Sequence, residues 1–250
     1  MLPFLFGLFL IGICFGSFVT AISWRIPREI SFIKGRSICP KCRKNIRWYD
    51  NIPLLSYFVL GGRCRNCKSK ISFRYPAIEF TSGIGFVLIT YFIGINNVLK
   101  LVLALAIFIV LLAIFVIDLE NQIIPDPLVF TGIGLVLLYL WVSQGLLIEN
   151  VLSGFLAASF LMIIHMLTKG RGMGLGDVKF AVLGGMLVGL KLLYLWLLAS
   201  FLTGGIAGII LILARRAKMK TKVAFGPFLI VGIGIVLTFG NQLLELLTFI

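Results

Sequence analysis

Two aspartates and four cysteines are the residues of this chain whose types and spacing can do chemistry. Asp177 lies near the end of the stretch Lys169–Lys179, KGRGMGLGDVK, between two apolar runs. Asp118 closes an apolar run that begins near Leu99 and opens the polar break DLENQIIPDP over 118–127. Ionisable groups at the edge of hydrocarbon are costly to keep and are by default candidates for function. On one side of a membrane, the two form a candidate catalytic pair. Such a dyad hydrolyses a peptide bond without metal or covalent intermediate. One ionised carboxylate takes a proton from water while its protonated partner polarises the carbonyl. Closeness of like charges and desolvation hold the shared proton. Gly174 and Gly176 remove side chains just ahead of Asp177, so a substrate backbone can approach there. Asp177 ahead of Val178 equally suits a plain helix N-cap, and residue types alone do not separate the two roles.

The cysteines form two pairs, Cys39-x-x-Cys42 and Cys64-x-x-Cys67, with 21 residues between them. Each pair supplies two thiolates from one tight knuckle, which suits tetrahedral zinc. Thiols at all four positions leave no open coordination site, so the implied zinc is structural. An insert of about 50 residues has too little apolar material to fold unaided, and a metal staple answers that. The alternatives are two disulfides or four unpaired thiols; a cytoplasmic location disfavours the disulfides. Cys14, alone in the first apolar run, reads as a small packing residue.

The remaining inventory excludes much. His165 is the single histidine and has no ligand-spaced partner, which makes it a packing or helix-end residue. No HExxH, no GxSxG and no phosphate loop ending in Gly-Lys-Ser/Thr occurs, which removes zinc proteases, serine hydrolases of the nucleophile-elbow kind and P-loop enzymes.

The elements that must position these groups are membrane helices. Of the 250 residues 60% are hydrophobic and 13% charged, and several apolar runs reach the length of a bilayer crossing. The expected fold is an all-α polytopic membrane protein of about eight transmembrane helices, with a small cytoplasmic zinc-binding insert between spans one and two. The spans are expected at 2–24, 76–95, 99–117, 128–142, 147–167, 178–190, 191–214 and 223–247. Span six is short for a crossing, with only 13 residues between Asp177 and Lys191. Tilting, local thinning or snorkelling of Lys179 and Lys191 would accommodate it. The domain map is then a first helix (1–24), a four-cysteine insert (25–75) and a transmembrane peptidase domain (76–250).

The net charge of +14 comes from basic residues clustered in loops beside apolar spans, which points to membrane orientation and lipid headgroups, not to nucleic acid. The first run is too long for a cleavable signal, lacks a basic region before it, and is followed by Arg25 and Arg28. With the N-terminus outside and eight spans, 21 of the 23 Lys and Arg residues fall in the cytoplasm. The same parity places Asp118, ending an inward helix, and Asp177, beginning an outward one, at the cytoplasmic face. A proton-coupled transporter is the alternative use of membrane-edge aspartates, but paired carboxylates at one face fit transport poorly. A general GxGD intramembrane protease and a zinc-stapled scaffold without catalysis are two further readings.

Nearly end to end, the chain resembles the type IV prepilin peptidases, membrane aspartic proteases that mature pilin-like subunits. The resemblance is carried by GSFVTAISWRIP (Gly16–Pro27), the two CxxC pairs around NIPLLSYFVLGGRC (Asn51–Cys64), and RYPAIEF (Arg74–Phe80). It continues through IDLENQIIPD (Ile117–Asp126), GMGLGDVK (Gly172–Lys179) and AFGPFLI (Ala224–Ile230). The resemblance implies that Asp118 and Asp177 are the aspartyl dyad of a peptidase in the bacterial inner membrane. Its implied partners are prepilins or pseudopilins of type IV pili and protein secretion, with a short basic leader, besides the lipid bilayer. It also implies methylation of the new N-terminus from S-adenosylmethionine, an activity it associates with the four-cysteine insert (25–75), though no glycine-rich nucleotide motif accompanies it there. Glu120 and Asp126, with Asp50, are expected to offset the basic cytoplasmic face for a basic leader, and Lys179 is expected among the substrate contacts.

Overall fold

The computed structural model describes residues 2–31, 37–215 and 223–248. Apolar runs become helices throughout, because a backbone in lipid must satisfy its polar groups internally. Among the described residues the only β pairing is two isolated bridges, Ile38–Asn45 and Arg63–Lys70. The chain is an all-helical polytopic membrane protein. Its residues divide into two compact units, 1–113 and 114–250, with the boundary inside one helix.

The first unit begins with α1 (Leu2–Arg25), followed by a 3-10 turn at Ile26–Arg28. The insert holds two cysteine knuckles, a 3-10 turn at Trp48–Asn51 and the short α2 (Leu55–Val59). Then come α3 (Arg74–Ile93) and the first part of α4 (Val98–Asn121). Helices α1 and α3 meet backbone to backbone. Gly12 and Gly16 lie one turn apart on α1, and a Cβ at Gly16 would fall 2.6 Å from the Cα of Glu79. Small residues permit such close approach, which in lipid replaces the hydrophobic effect as the source of helix association. Phe86 stacks on Phe15, at 5.7 Å between centroids, and joins Leu101 and Leu105 in a cluster linking α3 to α4. Cys14 is exposed on α1, so the packing role expected for it is not observed.

The second unit contains the end of α4, α5 (Asp126–Val142), α6 (Leu147–Leu167), α7 (Leu175–Val188), α8 (Leu193–Leu213) and α9 (Gly226–Thr248). Helix α7 is its centre, packed by α5, α6 and α9. It is buried on every side, from Phe180 and Ala181 to Leu183 and Met186, as a helix apolar all round should be. Against α6 the approach is again between glycines, since a Cβ at Gly185 would lie 2.8 Å from the Cα of Gly154. Trp196 of α8 is fully buried, and its indole N–H donates to the Leu229 carbonyl at 2.9 Å, tying α8 to α9.

Among the described residues, six helices are long and apolar enough to cross a membrane: those at Pro3–Arg28, Arg74–Ile93, Val98–Asn121, Leu147–Leu167, Leu190–Leu213 and Gly226–Glu245. The 17 residues of α5 and the 14 of α7 fall short of that length. The short span six is thus a protein-enclosed core helix, α7, which ends at Gly189 and turns through a 3-10 segment, Leu190–Leu192, into α8. Several helices also run past the expected span ends: α4 continues to Asn121, α5 starts at Asp126 and α7 at Leu175. The hydrocarbon length sets how long the apolar run must be, not where the helix stops. The basic loop at Arg215–Lys222 lies outside the described residues from position 216 on.

Candidate active site and metal centre

Asp118 sits in the last turn of α4 and Asp177 in the first turn of α7. They are 4% and 9% exposed, so each carboxylate relies on protein for its hydrogen bonds. The Oδ2 of Asp118 accepts the N–H of Gly226, first residue of α9, at 3.0 Å. The Oδ2 of Asp177 accepts the N–H of Gly174 at 3.0 Å. Both acceptors therefore meet the unsatisfied N–H end of a helix, where backbone dipoles favour negative charge. Asp177 is not the N-cap of its helix. It is the third helical residue and reaches back to the capping position, the carboxylate half of a capping box whose other half Gly174, lacking a side chain, cannot make.

Ile124 brings the pieces together. A Cβ at Gly176 would meet its Cβ at 3.1 Å, and a Cβ at Gly226 would meet its Cδ1 at 3.2 Å and the Asp118 Oδ2 at 2.6 Å. The starts of α7 and α9 thus close on one isoleucine from the α4–α5 turn, with Asp118 beside it. Asp118 and Asp177 are near enough to interact electrostatically. The space freed at Gly176 is filled by Ile124. At Gly174, which is exposed, a Cβ would crowd the Asp177 Oδ2 at 3.2 Å.

His165 holds the loop that delivers Asp177. Its Nδ1 lies 2.7 Å from the Met173 carbonyl, and Gly170, at φ +74°, lets the loop pass over the ring. With the backbone bonds from Gly170 N–H to the His165 carbonyl at 2.9 Å and from Arg171 N–H to the Thr168 carbonyl at 3.1 Å, this contact fixes the loop, the helix-end role expected of the histidine.

The acids expected to meet a basic leader are already engaged. Asp126 pairs with Lys179, Nζ to Oδ1 at 2.8 Å, with both side chains about half exposed. Asp50 receives a bidentate hydrogen bond from Arg65, at 2.7 Å for the shortest contact, and that guanidinium holds its carboxyl below the usual range. Glu120 is exposed on the last turn of α4. The residues that reading for chemistry overlooked are Gly226 and Ile124. Neither carries a reactive group; only their contact with Asp118 and Gly176 marks them.

In the insert the four sulfurs of Cys39, Cys42, Cys64 and Cys67 lie within 4.8 Å of one another, with Cys39 and Cys67 at 3.9 Å. Tetrahedral zinc with Zn–S bonds of about 2.3 Å places sulfurs about 3.8 Å apart. The two knuckles repeat one geometry. Cys39 N–H donates to the Lys44 carbonyl and Arg43 N–H to the Cys39 carbonyl, at 3.0 and 2.8 Å. Cys64 to Ser69 and Lys68 to Cys64 do the same at 2.8 and 2.9 Å. Arg43 and Lys68 both adopt positive φ, 55° and 57°.

These turns aim backbone N–H groups at sulfur. Those of Cys42 and Lys41 lower the Cys39 thiol, and the hydroxyl and N–H of Ser69 bring Cys67 down to about 6. The Lys44 N–H acts likewise on Cys42, but burial and the neighbouring thiols of Cys39 and Cys67 outweigh it and hold Cys42 up at about 11. Four thiols this close do not all ionise without a cation among them. The donor set and its spacing therefore fit a bound metal ion.

Comparison with known proteins agrees with this architecture. Residues 10–93 match the Bacterial Peptidase A24 N-terminal domain, and residues 105–209 the Type IV leader peptidase family. A prepilin leader peptidase/N-methyltransferase of Pseudomonas aeruginosa is 30% identical over 97% of this chain and 92% of its own length. Proteins of the same name from Vibrio cholerae and Aeromonas salmonicida are 32% and 35% identical, over 77% and 83% of this chain and 81% and 72% of theirs. No solved structure matches the chain. On the strength of these matches, the chain belongs to the type IV leader peptidase family.

Proposed function

We propose that the chain is a membrane-embedded aspartic endopeptidase. It removes the basic leader of prepilin or pseudopilin subunits and methylates the amino terminus so exposed, using S-adenosylmethionine. Asp118 and Asp177 are the pair that activates water. The observation that carries the reading is the way each is held: one oxygen of each buried carboxylate is anchored by a backbone N–H at a helix start. The Oδ1 of each takes no hydrogen bond among the described residues and is left for water and the shared proton.

With one proton between the two, the ionised member accepts a proton from water as it attacks the scissile carbonyl. The protonated member donates to the developing oxyanion, and collapse of the tetrahedral intermediate returns a proton to the leaving amine. The Lys179–Asp126 pair suggests how a basic leader is met: an incoming lysine competes with Lys179 for Asp126. Glu120 adds a second carboxylate on the same side.

The zinc held by Cys39, Cys42, Cys64 and Cys67 is structural, and residues 25–75 fold around it as an insert between the first helix (1–24) and the peptidase helices of 76–250. The distribution of basic residues orients the chain with its N-terminus outside and the aspartates at the cytoplasmic face of the bacterial inner membrane, with the short α5 and the protein-enclosed α7 completing eight crossings across a locally thinned site. The test is incubation of the full chain in detergent with a leader-bearing pilin-like peptide, with and without S-adenosylmethionine, followed by mass analysis. Asp118→Asn and Asp177→Asn keep an acceptor for the anchoring N–H and lose the proton chemistry. Each lowers cleavage by about 10³-fold or more with an unchanged melting temperature, and full cleavage by either variant removes the dyad.

A further inference from the structure

Neither the aspartate pair nor the metal centre uses Glu79, yet it is 7% exposed on α3. Its Oε2 accepts the N–H of Leu54 at 2.8 Å. No basic side chain pairs with it among the described residues. Leu54 is itself strained, at φ 59° and ψ −54°, with the N–H of Leu55 donating to the Pro53 carbonyl at 2.6 Å. That is a γ-turn of the rare positive-φ kind, which persists only where the surroundings impose it.

Glu79 and Ser17 lie on the wall of a cavity of about 700 Å³ within the first unit, bounded by α1, α3 and the insert. Trp24, Tyr57 and Tyr75 supply its aromatic lining, six basic side chains including Arg47 and Lys44 its positive charge, and Asp50 a second carboxylate. A volume of that size, mostly apolar with a few placed polar groups, suits a small-molecule ligand. The rings suit a cationic centre and the basic side chains a carboxylate, so a ligand carrying both fits the lining.

We propose that this cavity is the methyl-transfer chamber, where S-adenosylmethionine and the newly exposed amino terminus meet and Glu79 accepts the proton of the α-ammonium. The assignment rests on the methylation proposed above and goes beyond it in naming the site. S-adenosylmethionine is a second substrate, consumed with each methyl group moved. Glu79 takes one proton from the ammonium, leaving a neutral amine. The amine lone pair attacks the methyl carbon; the C–N bond forms as the C–S bond breaks, and the bonding pair leaves on sulfur as the neutral thioether S-adenosylhomocysteine. The product is a methylated ammonium, and Glu79 releases its proton to water.

The competing role for Glu79 is to pin the Leu54 turn and nothing more. Glu79→Gln separates the two, because the amide oxygen still accepts the Leu54 N–H while the base is gone. In the full chain, Glu79→Gln is expected to keep its melting temperature and bind S-adenosylhomocysteine calorimetrically within about threefold of wild type. Its methylation rate falls about 100-fold relative to its cleavage rate. Ala21, which also lines the cavity, provides an independent arm: Ala21→Trp fills the space and weakens S-adenosylhomocysteine binding by about tenfold or more. Wild-type methylation by Glu79→Gln overturns the proton-accepting role, and wild-type binding by Ala21→Trp overturns the chamber. If Glu79→Gln loses its fold, the Ala21→Trp arm still decides the chamber. A wild-type chain that cleaves but neither binds S-adenosylhomocysteine nor methylates removes the methylation reading itself. One that methylates while both variants match it removes only this assignment.

Discussion

Gly226→Ala tests the geometry of the aspartate pair without touching a titratable group. The added Cβ would fall 2.6 Å from the Oδ2 of Asp118 and 3.2 Å from its Cγ. Either the carboxylate or the start of α9 must yield by about half an ångström or more to restore ordinary contact. The carboxylate cannot yield freely, since the same Oδ2 is held by the Gly226 N–H at 3.0 Å and Asp118 is buried. Loss of that charge-assisted hydrogen bond costs about 1.5–3 kcal/mol, and a misplacement of this order at reacting groups costs about 100-fold in rate.

The expected result is a kcat about 100-fold down with KM nearly unchanged, because substrate is still bound and only the attack geometry is lost. Gly234→Ala is the control on the same helix. Nothing lies within 4 Å of its added Cβ, so it leaves cleavage within about twofold, as a substitution into open space should. Peptide cleavage followed by mass spectrometry, with melting temperatures of both variants, reads out the pair. Wild-type kcat in Gly226→Ala would refute the placement of Asp118 against the start of α9. Equal losses in the two alanine variants would show that helix composition, not the contact, sets activity.

Two further outcomes follow from the charged groups. Strong chelation, or Cys39→Ser, is expected to unfold the insert while the helices persist: metal analysis of the purified chain gives one zinc per chain before and none after, with helical circular dichroism largely retained. Purified chain without zinc contradicts this. Lys179→Met leaves stability within about 1 kcal/mol, since the pair with Asp126 is half exposed and such pairs contribute little. If Asp126 meets the leader, the same variant lowers KM for a lysine-bearing peptide, and an unchanged KM counts against that role.

What could be read in the residues alone was whatever local composition dictates. The apolar runs declared membrane helices because a span needs a minimum length of hydrocarbon-compatible side chains. The Cys-x-x-Cys pairs declared a knuckle because ligand spacing is a local property of the turn. Asp118 and Asp177 stood out because carboxylates are rare beside hydrocarbon, and charge parity allowed them one face. Folding alone decided how they are held there. Gly226 lies far along the chain from Asp118 and has no functional group, and its N–H matters only because α9 begins where α4 ends. Likewise, Asp177 looked like a helix cap and proved to be the third residue of a helix whose body is buried, a difference set by packing among α5, α6 and α9. Glu79 lies near the start of the span expected at 76–95, and only the close approach of α1 and α3 makes it a buried carboxylate facing a cavity. Composition determines which segments enter lipid and which residues can react; contacts between segments distant in sequence decide which backbone groups hold them, because those contacts depend on helix ends meeting in space.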